Sequence, residues 1–432
     1  MKVIVAGAGH GGLVAASKLA KFGYDVTVYE KRQREELGHD WEDRFTFDLL
    51  LKIIEKDELP KDVWRYRGDC VFVSPSKRTN VEIRYTDETR QKIMWRKPLI
   101  NMLLDYALKC GVKFEYGVDV KEAIIKEDTI IGIKTNKGDI LGDIVIDSMG
   151  AFSCIRRNLP DGFGIEKELN RGDAFYGYRA YFNKTEKVSP EFPFEVYLYH
   201  EREQGLSWCC VNEDNVDILI GRIDPLTKEK VEEQLKIFKE NHPYIGDEIL
   251  HGGQYGVIPV RRPLPLIVAN GYACVGDSAF MTTPMNGMGI DLSMNAGLLL
   301  AETLINKEDA SIENLWNYNR EYHKQFGGPT AKNEGLKNSL LKLPYEGVDF
   351  LYDNAVIQSS DLAGAGRNMK LGALLGKFVR GMKKTKYFFA IIKGLIKGSK
   401  ASKTYTKAPK VYNIKAIKKW EDKLNKLVIK IN

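Results

Sequence analysis

The hydrophobic pattern of this 432-residue chain changes period several times. "KVIVAG" is a short, unbroken apolar run, as a buried strand is. "GLVAASKLAKFGY" then adopts 3.6-residue spacing and stops at Gly23, and "DVTVYEK" is a second strand-like run. Strand, glycine turn, helix and strand predict a βαβ unit with two parallel strands. Residues 34–60 are less regular. Beyond them "CVFVSP" and "VEIRYTD" read as strands paired around the polar "SKRTN" turn. "KPLINMLLDYALKCG" predicts an amphipathic helix with Pro98 in its first turn and Gly111 as its stop. "VKFEYG", "IIGIKT" and "DIVIDSMG" follow as strands, with a hairpin at "NKGD". The last of them, apolar and β-branched, is expected to rejoin the sheet that starts at Lys2.

A β-rich block comes next: "AFYGYRAYF", "FEVYLYH", "LSWCCV" and "VDILIGRI". The helical "KEKVEEQLKIFKEN" separates it from "YACVGD", another short buried strand. The tail carries apolar stripes at helical spacing. Leu371, Leu374, Leu375, Phe378, Val379 and Met382 form one; Phe388, Ile391, Ile392, Leu395 and Ile396 form a second. Ile414, Ile417, Trp420, Leu424 and Leu427 form a looser third, and lysines occupy the opposite faces.

Charge sharpens the reading of the tail. The chain has net charge +7, but residues 367–432 carry 19 Lys+Arg against 2 Asp+Glu, leaving the body acidic. Basic amphipathic helices of this kind lie on anionic membrane surfaces; the competing arrangement packs the stripes on the protein's own body. No window has the run of about 18 apolar residues that a spanning helix needs. Met1-Lys2 leads straight into an apolar strand without an export signal. The expected location is cytoplasmic and peripheral, on the inner face of the membrane, with residues 367–432 as the contact. No nucleic-acid reader module is present, so that partner is not expected. Six cysteines lack CxxC pairing and histidine partners, which favours reduced thiols and no metal site. Cys209 and Cys210 are adjacent on a strand and point to opposite faces.

Chemistry concentrates at two places. Gly7-Ala8-Gly9-His10-Gly11-Gly12 fits G-x-G-x-x-G after a strand and before a helix. These glycines permit a tight turn, close approach to a pyrophosphate and close helix packing, and the helix N-terminus favours phosphate. Glu30, 18 residues after Gly12 and followed by Lys31, is placed to accept hydrogen bonds from a ribose diol. Far downstream, "VGDSAFMTTPMNGMGIDLSM" ends a strand in Asp277 and opens a helix after Gly287 and Gly289. This half-site fits both FAD and NAD.

Three segments, "VAGAGHGG...VYEK", "DIVIDSMGAFSCIRR" and "GYACVGDSAFMTTPMNGMGI", resemble the flavoproteins of the para-hydroxybenzoate hydroxylase fold, and within them the geranylgeranyl reductase family. The resemblance covers roughly residues 1–328. It implies an α/β fold with a Rossmann-like FAD-binding domain (1–69, 96–165 and 251–330), an inserted β-rich substrate domain (70–95 and 166–250) and a C-terminal helical, basic region (331–432). It implies that FAD meets Gly7, Gly9, His10, Gly11, Gly12, Glu30 and Lys31 through its ADP half. Asp277, Gly287, Met288 and Gly289 fall to its ribityl and ring half. Arg96 matches a family arginine that reaches the cofactor, and Val120 sits where the family meets adenine through backbone atoms. His10 stands where a proline or small residue is usual; it is either a flavin contact or a turn histidine without a catalytic role.

The chain departs from the family in three places. Met149-Gly150 replaces an Asp-Gly pair, which puts a pyridine nucleotide donor in question. "GLSWCCVNEDNVDILIGR" keeps Trp208 of an aromatic substrate motif but lacks its Phe-Pro-Lys portion, and "ELGHDWEDRFTFDLL" lacks the family's cysteine. Trp41, Asp43, Arg44, Tyr197 and Trp208 are candidates for shaping the flavin or substrate pocket. No residue is assigned to catalysis. The expected activity is saturation of carbon–carbon double bonds in an isoprenoid or other lipid, with NAD(P)H or a small redox protein as electron donor. The alternatives are an FAD monooxygenase of an apolar or aromatic substrate, and a non-catalytic flavin-binding protein at a membrane.

Overall fold

The computed structural model describes residues 1–363, 377, 380–381 and 385–431. A six-stranded sheet organises the nucleotide-fold part. β1 (Lys2–Ala6) lies between β2 (Asp25–Glu30) and the Ile144–Asp147 strand, parallel to both. Lys113–Tyr116 extends the sheet beyond β2, Tyr272–Cys274 extends it beyond Ile144–Asp147, and antiparallel Val268–Ala269 closes that edge. The apolar run of β1 is buried because helices cover one face of this sheet and a three-stranded meander (residues 120–141) the other. α1 (His10–Lys21) packs against the Arg96–Lys109 and Ile290–Leu304 helices. The expected return of "DIVID" to the first sheet is what the register shows.

The β-rich part is a seven-stranded sheet assembled from Cys70–Val73, Asn80–Ile83 and the strands between Ala174 and Pro259. The Lys228–Asn241 helix covers one face through Val231 and Phe238, against Tyr178, Ala180, Phe182, Ile218 and Ile220. The other face turns toward a small sheet of Glu42–Arg44, Lys92–Trp95 and Trp64–Tyr66. Two boundaries differ from expectation. The Ile245–Pro259 strand pairs with Ala174–Lys184 along its length, so the large sheet runs to Pro259 rather than to residue 250. Lys92–Trp95 pairs with Glu42–Arg44 instead of joining the large sheet.

The tail corrects a second expectation. Phe388 and Ile391 are buried against Tyr199, Leu343 and Phe350, while Trp420 and Leu424 pack with Tyr405 and Ala331. Phe388 and Ile391 of the second stripe and Ile417, Trp420 and Leu424 of the third are therefore taken up by the protein's own body, while Ile396 and Ile414 stay exposed. The Leu371, Leu374, Leu375, Phe378, Val379 and Met382 stripe lies outside the described residues. Arg262 donates to the Leu424 carbonyl (2.8 Å) and the Tyr405 hydroxyl to the Pro263 carbonyl (2.7 Å), tying the tail to the chain beyond the large sheet. No helix among the described residues is long and apolar enough to cross a membrane.

The tail helix Thr385–Tyr405 meets the Gly328–Leu341 helix almost backbone to backbone. A Cβ on Gly398 would sit 2.1 Å from the Lys332 carbonyl oxygen, and one on Gly394 would sit 2.4 Å from that of Gly335. Neither helix can yield without shifting its whole axis. Gly398→Val is expected to lower folding stability by about 1–3 kcal/mol, as overpacking does. Urea unfolding of the purified variant checks this, and an unchanged midpoint would contradict the packing.

Candidate functional site

The glycine turn after β1 is built around one serine. Gly7 has φ +85°, a left-handed conformation that leaves its N–H free to donate to the Tyr29 carbonyl (2.9 Å). A Cβ on Gly9 would lie 2.4 Å from Ser148 Oγ, and one on Gly12 would lie 2.6 Å from Ser148 Cβ. Gly11 instead allows a second helix to approach. A Cβ on Gly297 would stand 2.2 Å from the Gly11 carbonyl oxygen, and Gly11 N–H donates to Ser293 Oγ (3.0 Å). The contact sets the first turn of α1 against the middle of the 290–304 helix, and neither N-cap residue, Gly9 or Gly289, supplies a side-chain cap. In α1 the Gly11 and Gly12 N–H groups are taken up by Ser293 Oγ and by Ser148 Oγ (3.3 Å), and both helix ends keep their positive dipole ends.

Asp277 lies beside them, with Oδ1 3.4 Å from where a Gly289 Cβ would be. No described residue donates a hydrogen bond to its carboxylate. Burial pushes its pKa up to about 6, opposed by the charge of Arg96. Gly287 (φ +65°) closes the preceding turn, where Met288 N–H donates to Thr283 Oγ1 (3.0 Å). Arg96 forms a two-pronged ion pair with Asp43 (2.5 and 2.8 Å) and lies over the Trp41 ring (5.3 Å). Burial pushes the Asp43 carboxyl up, and Arg96 more than reverses it, so its pKa is lowered. His10 is held at about 4, first by burial and then by Arg96, and its buried Nε2 has no hydrogen-bond partner. On the adenosine side, Glu30 accepts the Ala8 N–H (2.9 Å), Lys31 is exposed, and buried Val120 accepts the Cys154 thiol on its carbonyl (2.9 Å).

These residues fit FAD. Two uncapped helix ends suit a pyrophosphate and an electron-rich ring edge, the orphaned His10 Nε2 awaits a polar partner, and the unpartnered Asp277 carboxylate suits sugar hydroxyls. The middle motif serves a different purpose. Buried Asp147 accepts from Tyr272 (2.7 Å), the Met149 N–H (3.1 Å) and Ser153, while Arg156 donates to the Ser278 (2.9 Å) and Ala151 (2.5 Å) carbonyls. It fastens the Ile144–Asp147 strand to the turn that carries Asp277. Ser148 and Ser293 escaped the sequence reading. The signal available was a small polar residue at each strand or helix end facing a glycine.

The four pocket candidates other than Asp43 divide. Trp41 joins the cluster: it is buried, stacked on His39 (4.3 Å), and presses on Gly256. Arg44 is exposed on the opposite side of the same short strand from Asp43. Trp208 lies under Arg179 (5.1 Å) on the face of the large sheet that meets Glu42. Tyr197 lies on the far face, against Phe238 of the covering helix and bonded to Glu195, so the sheet separates it from the other three. A cleft of about 380 Å³ lined by Arg32, Glu36, Gly38, His39, Gln254 and Tyr255 opens beside Trp41. The larger groove, about 460 Å³, runs along the Lys228–Asn241 helix, away from this chemistry. All six cysteines are unpaired.

Residues 5–49 match the model of the NAD(P)-binding Rossmann-like domain family. A digeranylgeranylglycerophospholipid reductase from Sulfolobus acidocaldarius is 22% identical over 254 residues, 57% of this chain and 56% of that protein. A second protein of that name, from Methanococcoides burtonii, is 27% identical over 364 residues, 81% of this chain and 86% of that one. Among solved structures, a geranylgeranyl bacteriochlorophyll reductase-like protein from Thermoplasma acidophilum superposes with a TM-score of 0.72. It is 20% identical over 91% of this chain and 98% of that one. The resemblance to the geranylgeranyl reductase family thus holds beyond the motifs, and the α/β fold with them.

Asp277 generates an expectation with two opposite readouts. A carboxylate whose pKa is raised on folding makes the flavin-free protein lose stability as pH rises from the ordinary carboxylate value toward 6. Ligand hydroxyls donating to the ionised form reverse that preference. Asp277→Asn is therefore expected to raise the melting temperature of flavin-free protein above pH 6 while weakening FAD binding by about 1.5–3 kcal/mol. Wild-type affinity falls as pH drops through 6, and the variant's does not. Calorimetry and flavin-fluorescence titration measure the two effects; a variant that binds FAD as wild type does contradicts the assignment.

Proposed function

We propose that this chain, an oxidoreductase similar to the geranylgeranyl reductases, binds FAD and saturates carbon–carbon double bonds of an isoprenoid lipid. The observation that carries the reading is the start of α1 packed against the 290–304 helix through Gly11 and Gly297, with the unpartnered Asp277 carboxylate beside Gly289 at the start of that helix. Gly7, Gly9 and the α1 N-terminus would hold the pyrophosphate, Glu30 the adenosine ribose, and Asp277 the ribityl chain. Reduced flavin, when bound, supplies hydride to an alkene carbon.

The rest is the work of the chain's own groups. The N–H groups at Ile290 and the charge of Arg96 favour negative charge at the ring. Asp43 keeps Arg96 in place with two hydrogen bonds. His10 stays neutral at pH 7 and adds no competing positive charge. Trp41 beside Arg96, and Trp95 packed on buried Tyr181 at 4.9 Å, would keep water from an apolar chain.

The lipid reading extends to a membrane surface, on a different face from the one the stripes first indicated. The outer side of the Thr385–Tyr405 helix presents Lys386, Phe389, Lys393, Ile396, Lys400 and Lys403 to solvent, with Phe389 57% and Ile396 50% exposed. Two apolar anchors among lysines suit the anionic inner leaflet of a cytoplasmic membrane. Changing both Phe389 and Ile396 to serine is expected to weaken cosedimentation with anionic liposomes severalfold while leaving FAD content intact. Equal binding would remove this face from the account.

The activity is tested by photoreducing the FAD-loaded protein without oxygen and adding a polyprenyl lipid, which bypasses NAD(P)H or a redox-protein donor. Flavin reoxidation together with a product two hydrogens heavier per double bond is expected. Reoxidation only on admitting oxygen, with a hydroxylated product, would instead establish the monooxygenase reading, and no reoxidation by either would leave a flavin-binding protein without this chemistry.

A further inference from the structure

Two of the passages between the large sheet and the rest of the chain run side by side. Residues 166–173 lead into the Ala174–Lys184 strand, and residues 260–262 leave the Ile245–Pro259 strand paired with it. The Val260 N–H joins them by donating to the Asp173 carbonyl (2.7 Å). Lys337, buried on the Gly328–Leu341 helix, bridges them again through the carbonyls of Gly172 (2.5 Å) and Val260 (2.6 Å). Buried Arg261 adds a third bridge, to Glu166 at 2.5 Å and Asp173 at 3.5 Å.

The end of the chain lies across these passages. Gly172 has φ +80°, and a Cβ on it would stand 2.4 Å from Ile431 Cδ1, so a glycine is needed for both the turn and the contact. Asn338, next to Lys337, donates to the Ile429 carbonyl (2.8 Å), and Lys397 donates to that of Val428 (3.4 Å). Arg262 donates to the Leu424 carbonyl (2.8 Å) and to Asn425 Oδ1 (3.0 Å), where the Ile414–Asn425 helix ends. Residues 427–431 have no helix or strand of their own, and all but exposed Lys430 are half-buried. A segment held in this way opens at lower free energy than the elements beneath it.

The same passages reach the turn that carries Asp277. Thr282 Oγ1 donates to the Pro259 carbonyl, and the Arg261 guanidinium lies 4.9 Å from the centre of the Phe280 ring. Phe280 closes the turn at φ +55°, with its N–H on the Asp277 carbonyl (3.1 Å). A left-handed phenylalanine persists only while its surroundings hold it. Whatever fixes residues 259–262 therefore also fixes the turn behind the open carboxylate.

We propose that residues 427–431 are a latch. Seated on Gly172 and Asn338, the segment locks the two passages and, through them, the Asp277 turn; its release loosens that turn and lets bound flavin exchange. The effect on flavin rests on the FAD reading, whereas the locking of the passages does not.

Hydrogen–deuterium exchange of the full-length chain, with and without FAD, tests the latch, and loss of bound FAD on dilution is timed alongside. The variant combines Asn338→Ala with Ile431→Ser, and Ile431→Ser alone should give the same pattern at smaller size. In the double variant, exchange in residues 170–174, 259–263 and 276–283 is expected to speed up by about tenfold or more. FAD release should quicken by at least about threefold. Exchange in β1 and α1 and the urea midpoint should stay near wild type. Unchanged exchange at the passages would overturn the proposal. So would faster exchange throughout the chain in step with a lowered midpoint, since the segment would then be ordinary packing. Faster exchange at the passages with unchanged FAD release would overturn the link to the cradle. If wild type binds no FAD, the flavin reading fails, and exchange of residues 276–283 in the flavin-free protein still decides the latch.

Discussion

The architecture depends on one backbone-to-backbone contact, between Gly11 of the first helix and Gly297 of a helix almost three hundred residues later. No side chain fits between them, so the first turn of α1 meets the middle of the later helix at van der Waals distance. Everything else in the site is arranged around that meeting point. Ser148 fills the space that three glycines vacate, Ser293 caps the Gly11 N–H, and Asp147 with Arg156 fixes the turn that carries Asp277. A carboxylate without a partner, which burial makes costly, is tolerable there because two positive helix ends and Arg96 lie nearby.

Around this point the charged groups show a graded satisfaction. Those that hold the sheets together, half-buried Arg65 with buried Glu42 and buried Arg179 with buried Asp217, are each paired by two hydrogen bonds. Arg96 is paired yet close enough to bias His10 and Asp277. Arg44 and Arg67 have no carboxylate partner among the described residues, and Arg67 lies over Phe194. Structural groups are thus closed on themselves, whereas Asp277 and His10 Nε2 are left open beside the start of the 290–304 helix and of α1. The same division applies to the tail, whose inner faces are packed on the body while Phe389, Ile396 and their lysines face solvent.

Local rules made the cofactor half legible. The βαβ opening, the glycine turn, the acid after β2 and the strand-to-helix passage at Asp277 each follow from chain-local geometry, and the register places them as expected. What the pattern did not disclose was non-local. Nothing near Ser148 or Ser293 marks the glycines they oppose, because that relation exists only after the sheet closes. Tyr197 and Trp208 looked equivalent in an aromatic run, yet strand alternation and one covering helix put them on opposite faces. The tail stripes had the right period for either a membrane or the body, and period alone does not choose the partner. Arg67 was invisible for the same reason: an unpaired arginine is recognised only once every neighbouring carboxylate has been assigned elsewhere.

The central claim is that two helix ends and one open carboxylate form a single FAD cradle. A crystal structure of the FAD-loaded chain tests it most directly. The account predicts the pyrophosphate against the α1 N-terminus, ribityl hydroxyls within hydrogen-bonding distance of Asp277, and the ring edge toward the N-terminus of the 290–304 helix. Flavin seated away from these helix ends, or Asp277 turned from the ligand and paired with another residue, would contradict it.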